Sequence, residues 1–358
     1  MAKSLVIVGG GFVGVELAKG LEGTFDVTLV EQRDAFVHAP AMIRALVDSS
    51  VRDAALIPYD KLLKKGRVIK AMATDIRADA VVAGGEEIPA DFIVISTGAS
   101  NGGIFKPGDE GIDAFRAAQE KVQSQIAAAG RIVIVGAGAV GTELAGEIAN
   151  AHPDKTLTLV SSDATLFPGF PVKLGRDLAA KLEKMGVDVV LGARVTDLQS
   201  TTEPYAGSVT LDTSVKIEAD LVIPAVGSKP QTTIFEALPG MTRGQDARVK
   251  VDAYLRPSEY PNVYAAGDAV DAGDAMTVVA TSRQQPWLAA HLKKRAAGAT
   301  VESQKAYTPW GKAPILIPLG PNGGSSFLVV ATVGNWITRT LKGKDLFITK
   351  YRKLLGYG

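Results

Sequence analysis

Gly9, Gly11 and Gly14 stand at G-x-G-x-x-G spacing directly behind Leu5-Val-Ile-Val8, a run apolar enough for a buried parallel strand. Each glycine has its own job there. Gly9 takes the tight strand-to-helix turn, Gly11 lets the backbone approach a pyrophosphate, and Gly14 lets the next helix close on the strand. The chemistry is anion binding, because the N-terminus of that helix receives the phosphates. Glu31 ends a second apolar run, Val27 to Val30, 17 residues after Gly14, where a ribose hydroxyl needs an acceptor. Its other reading is a solvated carboxylate at a strand end.

The motif returns. Val135 to Ile148 aligns without gaps on Val8 to Leu21 at an offset of 127, with eight of fourteen positions identical, so Gly136, Gly138 and Gly141 form a second phosphate loop. Two dinucleotides are therefore expected. Arg131 to Val135 supplies the strand before that loop, and Leu157 to Val160 the strand after it. Ser161 then stands where the first copy has Glu31. A carboxylate there would repel a 2'-phosphate, whereas Ser161 and Ser162 tolerate either ribose, so the second cofactor is NADH or NADPH. Thr97-Gly98-Ala99 leaves the strand Phe92 to Ile95 through a glycine that permits close approach to the bound nucleotide; the plainer reading is an exit turn.

These loops need two α/β units with parallel sheets to hold them. The order of motifs assigns residues 1–106 and 249–300 to a first nucleotide-binding domain, 107–248 to a second, NAD(P)H-binding domain, and 301–358 to a C-terminal domain facing substrate or membrane. Asp220 to Pro230 repeats the earlier strand-then-glycine exit. Asn262 to Asp268 is a short apolar strand ending in Gly-Asp, and an alanine-rich helix follows from about Thr281 to Ala297, with Gln285 as the alternative start because Pro286 fits only a first turn. Ile315 to Leu319 reads as a strand, Pro321 to Gly324 as a turn, and Phe327 to Val333 as the hairpin partner.

Composition excludes several chemistries. The chain has 358 residues, 46% of them hydrophobic and 22% charged, and no cysteine, which removes dithiol relays, thiolate zinc sites and cysteine-held iron–sulfur clusters. Any redox chemistry needs another carrier. Three scattered histidines, His38, His152 and His291, suggest no metal site, and a net charge of +1 gives no general attraction to nucleic acid. No stretch reads as a signal peptide or a membrane span, so a cytoplasmic protein is expected, peripheral to a membrane at most. From Trp336 to Gly358, six Lys or Arg stand against the single acid Asp345, interleaved with apolar residues. Such a tail suits a membrane surface. It equally suits a helix packed on the protein body.

The paired glycine motifs, Glu31, the two glycine exits and Tyr264-Ala-Ala-Gly-Asp268 resemble the two-dinucleotide flavoprotein reductases over the whole chain. Within them, Asp34-Ala-Phe-Val-His38, Tyr307-x-Pro309 and Leu341-Lys-Gly-Lys-Asp-Leu-Phe347 are most similar to the ferroptosis suppressor proteins, the apoptosis-inducing factor-like flavoproteins, with type II NADH dehydrogenases next. The resemblance implies a glutathione-reductase-like fold of two Rossmann-like domains with a small α+β C-terminal domain. It implies FAD and NAD(P)H as cofactors and a quinone-like acceptor. Asp268 would bond the flavin ribityl chain, Glu143 would lie near flavin and nicotinamide, and Lys342 and Phe347 would belong to the substrate region. Ala2 follows Met1, so the family's myristoylated glycine is not carried over.

By this reading the protein is an FAD-dependent NAD(P)H:quinone oxidoreductase, with Glu143 and Lys342 as candidate catalytic groups. Glu143 on the first turns of a helix is also a plain dipole contact, and its repeat mate Glu16 shows that the position does not demand catalysis. A flavin-dependent monooxygenase and a redox-sensing nucleotide-binding protein are the rival functions.

Overall fold

Leu5-Val-Ile-Val8 has no polar face to offer solvent, so its strand must sit in a sheet covered on both sides. In a computed structural model, which describes residues 2–100, 103–108 and 110–358, the strand Ser4–Val8 lies parallel between Asp26–Glu31 and Phe92–Ile95. Val8 stands opposite Val30 on one side and Ile95 on the other. Arg67–Lys70 extends the sheet beyond Asp26–Glu31, and Val263–Ala265 returns from late in the chain to pair with Phe92–Ile95, giving five parallel strands. Both faces are covered, and Leu5, Ile7, Leu29 and Ile93 are fully buried.

The second copy builds a second parallel sheet from Val187–Val190, Thr156–Val160, Arg131–Val135 and Leu221–Pro224, in that order. The chain is thus mixed α/β with two parallel, Rossmann-like cores. A two-residue strap joins them: Ala99–Ser100 pairs antiparallel with Lys229–Pro230.

The C-terminal hairpin differs from expectation. Ile315–Leu319 is a strand, but its partner is Gly323–Phe327, and the segment expected as partner supplies only Thr332–Val333 at the edge of a three-stranded antiparallel sheet. Gly320 turns the chain with φ +69°. Gly324, with φ +130°, is then drawn into the ladder, where a Cβ would lie 2.3 Å from Ile317 O. Glycines read as turn were needed for close approach between strands. The alanine-rich helix runs Gln284–Ala296, within one residue of the alternative start at Gln285 and three residues later than Thr281, which instead ends a separate single turn, Val278–Thr281.

The third sheet rests on the second nucleotide helix, Ala139–Ala151. Contact depends on Gly146, where a Cβ would lie 2.6 Å from Leu319 Cα. Beyond the sheet, the helix Asn335–Thr338 widens into a π turn at Arg339–Gly343, Leu346 and Phe347 take left-handed conformations (φ 54° and 67°), and Ile348–Leu354 closes the chain. Two successive non-glycine residues in that region are costly, so packing around them must hold them there. The tail packs on the body: Leu346, Tyr351 and Leu355 are buried, Lys350 pairs with Glu16, and Arg352 donates to Ala54 O.

Candidate functional site

A cavity of about 320 Å³ opens at the first glycine loop and reaches the third sheet. Gly9, with φ +100°, passes so close to the next strand that a Cβ would lie 2.5 Å from Ser96 O, and a Cβ on Gly14 would lie 1.9 Å from Gly9 O. Gly11 differs. Its Cβ would meet nothing within 4 Å and would project into open space, which is the cradle a pyrophosphate requires. The helix behind it, Phe12–Leu21, starts without a side-chain cap, leaving its first N–H groups for an anion.

Glu31 is buried rather than solvated. Its carboxylate accepts the Gly10 N–H at 2.7 Å and the Arg33 Nε–H at 2.8 Å while lining the cavity. Tyr59, which sequence reasoning missed, donates its hydroxyl to Gly10 O at 2.7 Å and props the loop from behind. Thr97 and Gly98 line the cavity and also form part of the strap: Thr97 Oγ1 donates to Gln231 O at 2.6 Å, and Gln231 N–H donates to Gly98 O at 2.9 Å. Asp268 faces the same cavity with Lys106 Nζ 3.4 Å away. Its loop is anchored through the Gly267 N–H, which donates to the buried Gln284 at 2.7 Å. These groups fit the diphosphate, ribose and ribityl parts of a dinucleotide flavin.

The second loop repeats the geometry. Gly136 has φ +106°, a Cβ on Gly141 would lie 1.9 Å from Gly136 O, and Gly138 again faces nothing within 4 Å. A second cavity of about 180 Å³ opens there, and Phe105, Ala139, Val140 and Ser228 line both cavities. Ligands in the two would therefore meet across a shared wall. Ser161 lies apart: it ends the strand Thr156–Val160 with its hydroxyl accepting the Asp163 N–H at 3.2 Å, and it lines neither cavity.

The structure brings Glu143 and Lys342 together across 199 positions. Lys342 Nζ donates to Glu143 Oε1 at 2.6 Å and to Leu316 O at 3.1 Å, and both side chains line the large cavity beside Phe347. Burial raises the Glu143 carboxyl to about 7, although the ammonium beside it acts in the opposite direction. A carboxyl there can hold or release a proton near neutrality. Lys342 is carried, buried, on the π turn Arg339–Gly343, a kind of turn that concentrates at functional sites.

One helical turn on, Glu147 is also buried and is held by Arg44 through three hydrogen bonds of 2.8–3.0 Å. Neither residue was singled out from sequence, although a charged residue inside the apolar runs Ile43-Arg44-Ala45-Leu46 and Leu144-Ala-Gly-Glu147-Ile148 signals a buried partner. His38 is wholly buried among Phe12, Phe36 and Tyr351. Desolvation lowers it to about 4, so it stays neutral.

Residues 3–291 match the pyridine nucleotide-disulphide oxidoreductase family. Apoptosis-inducing factor homolog B of Dictyostelium discoideum is 30% identical, over 98% of this chain and 96% of its own length. Ferroptosis suppressor protein 1 of Xenopus laevis is 29% identical, over 98% and 96%. Among solved structures, NDH2 of Plasmodium falciparum with NADH superposes with a TM-score of 0.74 at 14% identity, over 98% of this chain and 97% of that one, a likeness of fold.

Proposed function

The chain belongs to the pyridine nucleotide-disulphide oxidoreductase family, with FAD and NAD(P)H as cofactors, and on that premise we propose that it is an NAD(P)H oxidoreductase delivering electrons to a quinone-like acceptor. The disulphide branch of that chemistry is closed to it, because the chain has no cysteine. The observation that carries the acceptor is the Glu143–Lys342 pair, set in an otherwise largely apolar part of the cavity beside Ile317 and Phe347. A flat apolar molecule with carbonyl oxygens suits such a surface.

FAD, when bound, supplies the ring that takes hydride from NAD(P)H and passes the electrons on. The protein's part is positional and protic. Gly11 and the uncapped helix start receive the diphosphate, Glu31 the adenosine ribose, and Asp268 the ribityl chain. Gly136, Gly138 and Gly141 seat the nicotinamide dinucleotide against the shared wall. Ser161 lines neither cavity, but it ends the strand after the second loop with neither a carboxylate nor a cation, which leaves NADH and NADPH both acceptable. Thr97 and Gly98 hold the two units in register through Gln231. Reducing a quinone to a quinol takes two electrons and two protons; one hydrogen arrives with the hydride drawn from NAD(P)H, the Glu143 carboxyl delivers the second proton and is reprotonated from solvent, and Lys342 Nζ orients the acceptor oxygen. The domain division 1–106 with 249–300, 107–248, and 301–358 belongs to the same reading.

Stopped-flow mixing of the reduced holoprotein with a quinone panel and, separately, with oxygen tests the acceptor. At least one soluble quinone should reoxidise it more than about tenfold faster than air-saturated buffer, a difference of ~1.4 kcal/mol in barrier. Faster reoxidation by oxygen would sink the quinone reading and favour a monooxygenase.

Peripheral membrane contact, on this reading, belongs to the loop after Phe327 and the first turns of the tail rather than to the final helix, Ile348–Leu354. Val330 is 92% exposed and Trp336 75%, with Val329 and Leu341 also open and Arg339 and Lys344 nearby in sequence. No helix among the described residues is long and apolar enough to cross a membrane. Val330→Ser with Trp336→Ser should reduce sedimentation with anionic liposomes at least about fivefold, ~1 kcal/mol. Lys350→Gln, Arg352→Gln and Lys353→Gln together should matter less. The reverse ranking would return the contact to the final helix.

A further inference from the structure

Two buried ion pairs stand in series on one face of the second nucleotide helix: Lys342 with Glu143, then Glu147 with Arg44. Their order of charge is plus, minus, minus, plus. Glu143 and Glu147 are four residues apart and so share a helix face, and two carboxylates in a common buried site disfavour each other's ionised form. The partners decide which one yields. Arg44 grips Glu147 through three hydrogen bonds, with Nε bonded to both oxygens and Nη2 to one, whereas Lys342 gives Glu143 a single bond and spends a second donor on Leu316 O. A bidentate guanidinium fixes a carboxylate as an anion more firmly than an ammonium does.

We propose that Arg44 and Glu147 are positioning residues for Glu143: Arg44 keeps Glu147 ionised, and that fixed buried charge one turn away keeps the deliverable proton on Glu143. The inference rests on the reading of Glu143 as proton carrier. Arg44 comes from the short turn Arg44–Leu46, which in sequence lies between the strands Asp26–Glu31 and Arg67–Lys70 of the first sheet, and Glu147 from the helix of the second, so the same bonds also tie the two stretches of chain together.

The surroundings contain little else that could set this balance. Glu143 is faced by Lys342, Glu147 and Arg44, and Glu147 by Arg44, Lys342 and, more weakly, Asp48. The strands Ile315–Leu319 and Thr156–Val160, packed on the same helix, bring no charged side chain, and Arg131 at the far end of its strand is engaged by exposed Asp220. Burial raises both carboxyls and the Glu147 charge pushes Glu143 further in the same direction, while the Lys342 and, less strongly, the Arg44 cations act against it.

The test is an infrared pH titration of the protonated-carboxyl band in the FAD-loaded protein, the Glu143 band being assigned by its loss in Glu143→Gln. Glu147→Gln removes the neighbouring anion and should weaken proton binding at Glu143 about tenfold, moving the midpoint down by about one pH unit. Should that variant fail to fold, Arg44→Gln with Glu147→Gln replaces the ion pair by a neutral amide pair and should also lower the midpoint, by less. Arg44→Lys keeps the charge and should titrate as the parent does. A parent-like midpoint in either neutral variant, even with a lowered melting temperature, overturns the proposal and leaves the pair a structural tie. The titration needs no electron acceptor, so it is decided separately from whether quinones are reduced.

Discussion

Glutamine at position 143 is expected to slow quinone reduction by the reduced protein about 10²- to 10⁴-fold, the usual worth of a positioned general acid. The substitution keeps the shape and one acceptor for Lys342 Nζ while removing the ionisable proton. Flavin content and reduction by NAD(P)H should stay near the parent's, because the diphosphate and ribose contacts lie elsewhere in the cavity. The pH dependence has a definite sign. If the protonated carboxyl is the donor, the parent rate falls as pH rises through about 7, the value to which burial lifts Glu143, and the variant's profile is flat there. Stability follows the same group: its folded value stands above the ordinary 4.5, so the folded state binds the proton more tightly than the unfolded chain. The stability this confers is complete below about 4.5 and is lost as pH rises through about 7. Rapid-mixing rates and urea unfolding, each at several pH values between 5 and 9, check both statements. A variant within about threefold of the parent at every pH would remove Glu143 from proton delivery.

Leucine at Gly11 is expected to give a folded but colourless protein. The backbone at Gly11 is extended with φ −73°, which any residue adopts, and its Cβ meets nothing within 4 Å, so the folded chain tolerates the side chain. What it does not tolerate is the ligand, since the isobutyl group fills the approach reserved for a pyrophosphate. FAD affinity should fall more than about 100-fold, ~2.8 kcal/mol, read as flavin absorbance per mole of purified protein. Alanine at Gly14 is the contrasting case: its Cβ would sit 1.9 Å from Gly9 O, so that change should cost fold and flavin together. Full flavin content in the Gly11→Leu protein would assign the first loop to something other than FAD.

Much of this architecture could be read from residues in a row. Leu5 to Val8, Phe92 to Ile95 and Ile132 to Val135 announce buried parallel strands because nothing in them is polar on either face, and they are found in those places. Glycine spacing carries its own geometry. Glu143 and Lys342 were each visible as candidates, but their 2.6 Å contact depends on Gly146 admitting Leu319 and on a π turn, and neither leaves a periodic trace. The hairpin register failed for a related reason: Gly323 and Gly324 look like turn residues until a strand backbone has to pass within reach of Ile317 O. Arg44 and Glu147 went unremarked because a buried charge is meaningful only with its partner, and that partner lies 103 positions away.

The duplicated helix carries a record of how its two copies parted. Glu16 and Glu143 occupy the same place in the repeat, and each is met by a lysine from the same late segment, Lys350 at 2.8 Å and Lys342 at 2.6 Å. Tyr351 adds its hydroxyl to Glu16. Ancestry supplied one residue twice, and solvent made the difference: the Glu16–Lys350 side chains are 15% and 59% exposed, whereas the Glu143–Lys342 side chains are 4% and 11%. One descendant became a bolt that fastens the end of the chain to its beginning. The other lies out of water, where burial raises the same carboxyl to about 7, so the two copies differ at this position in their surroundings and not in their side chain.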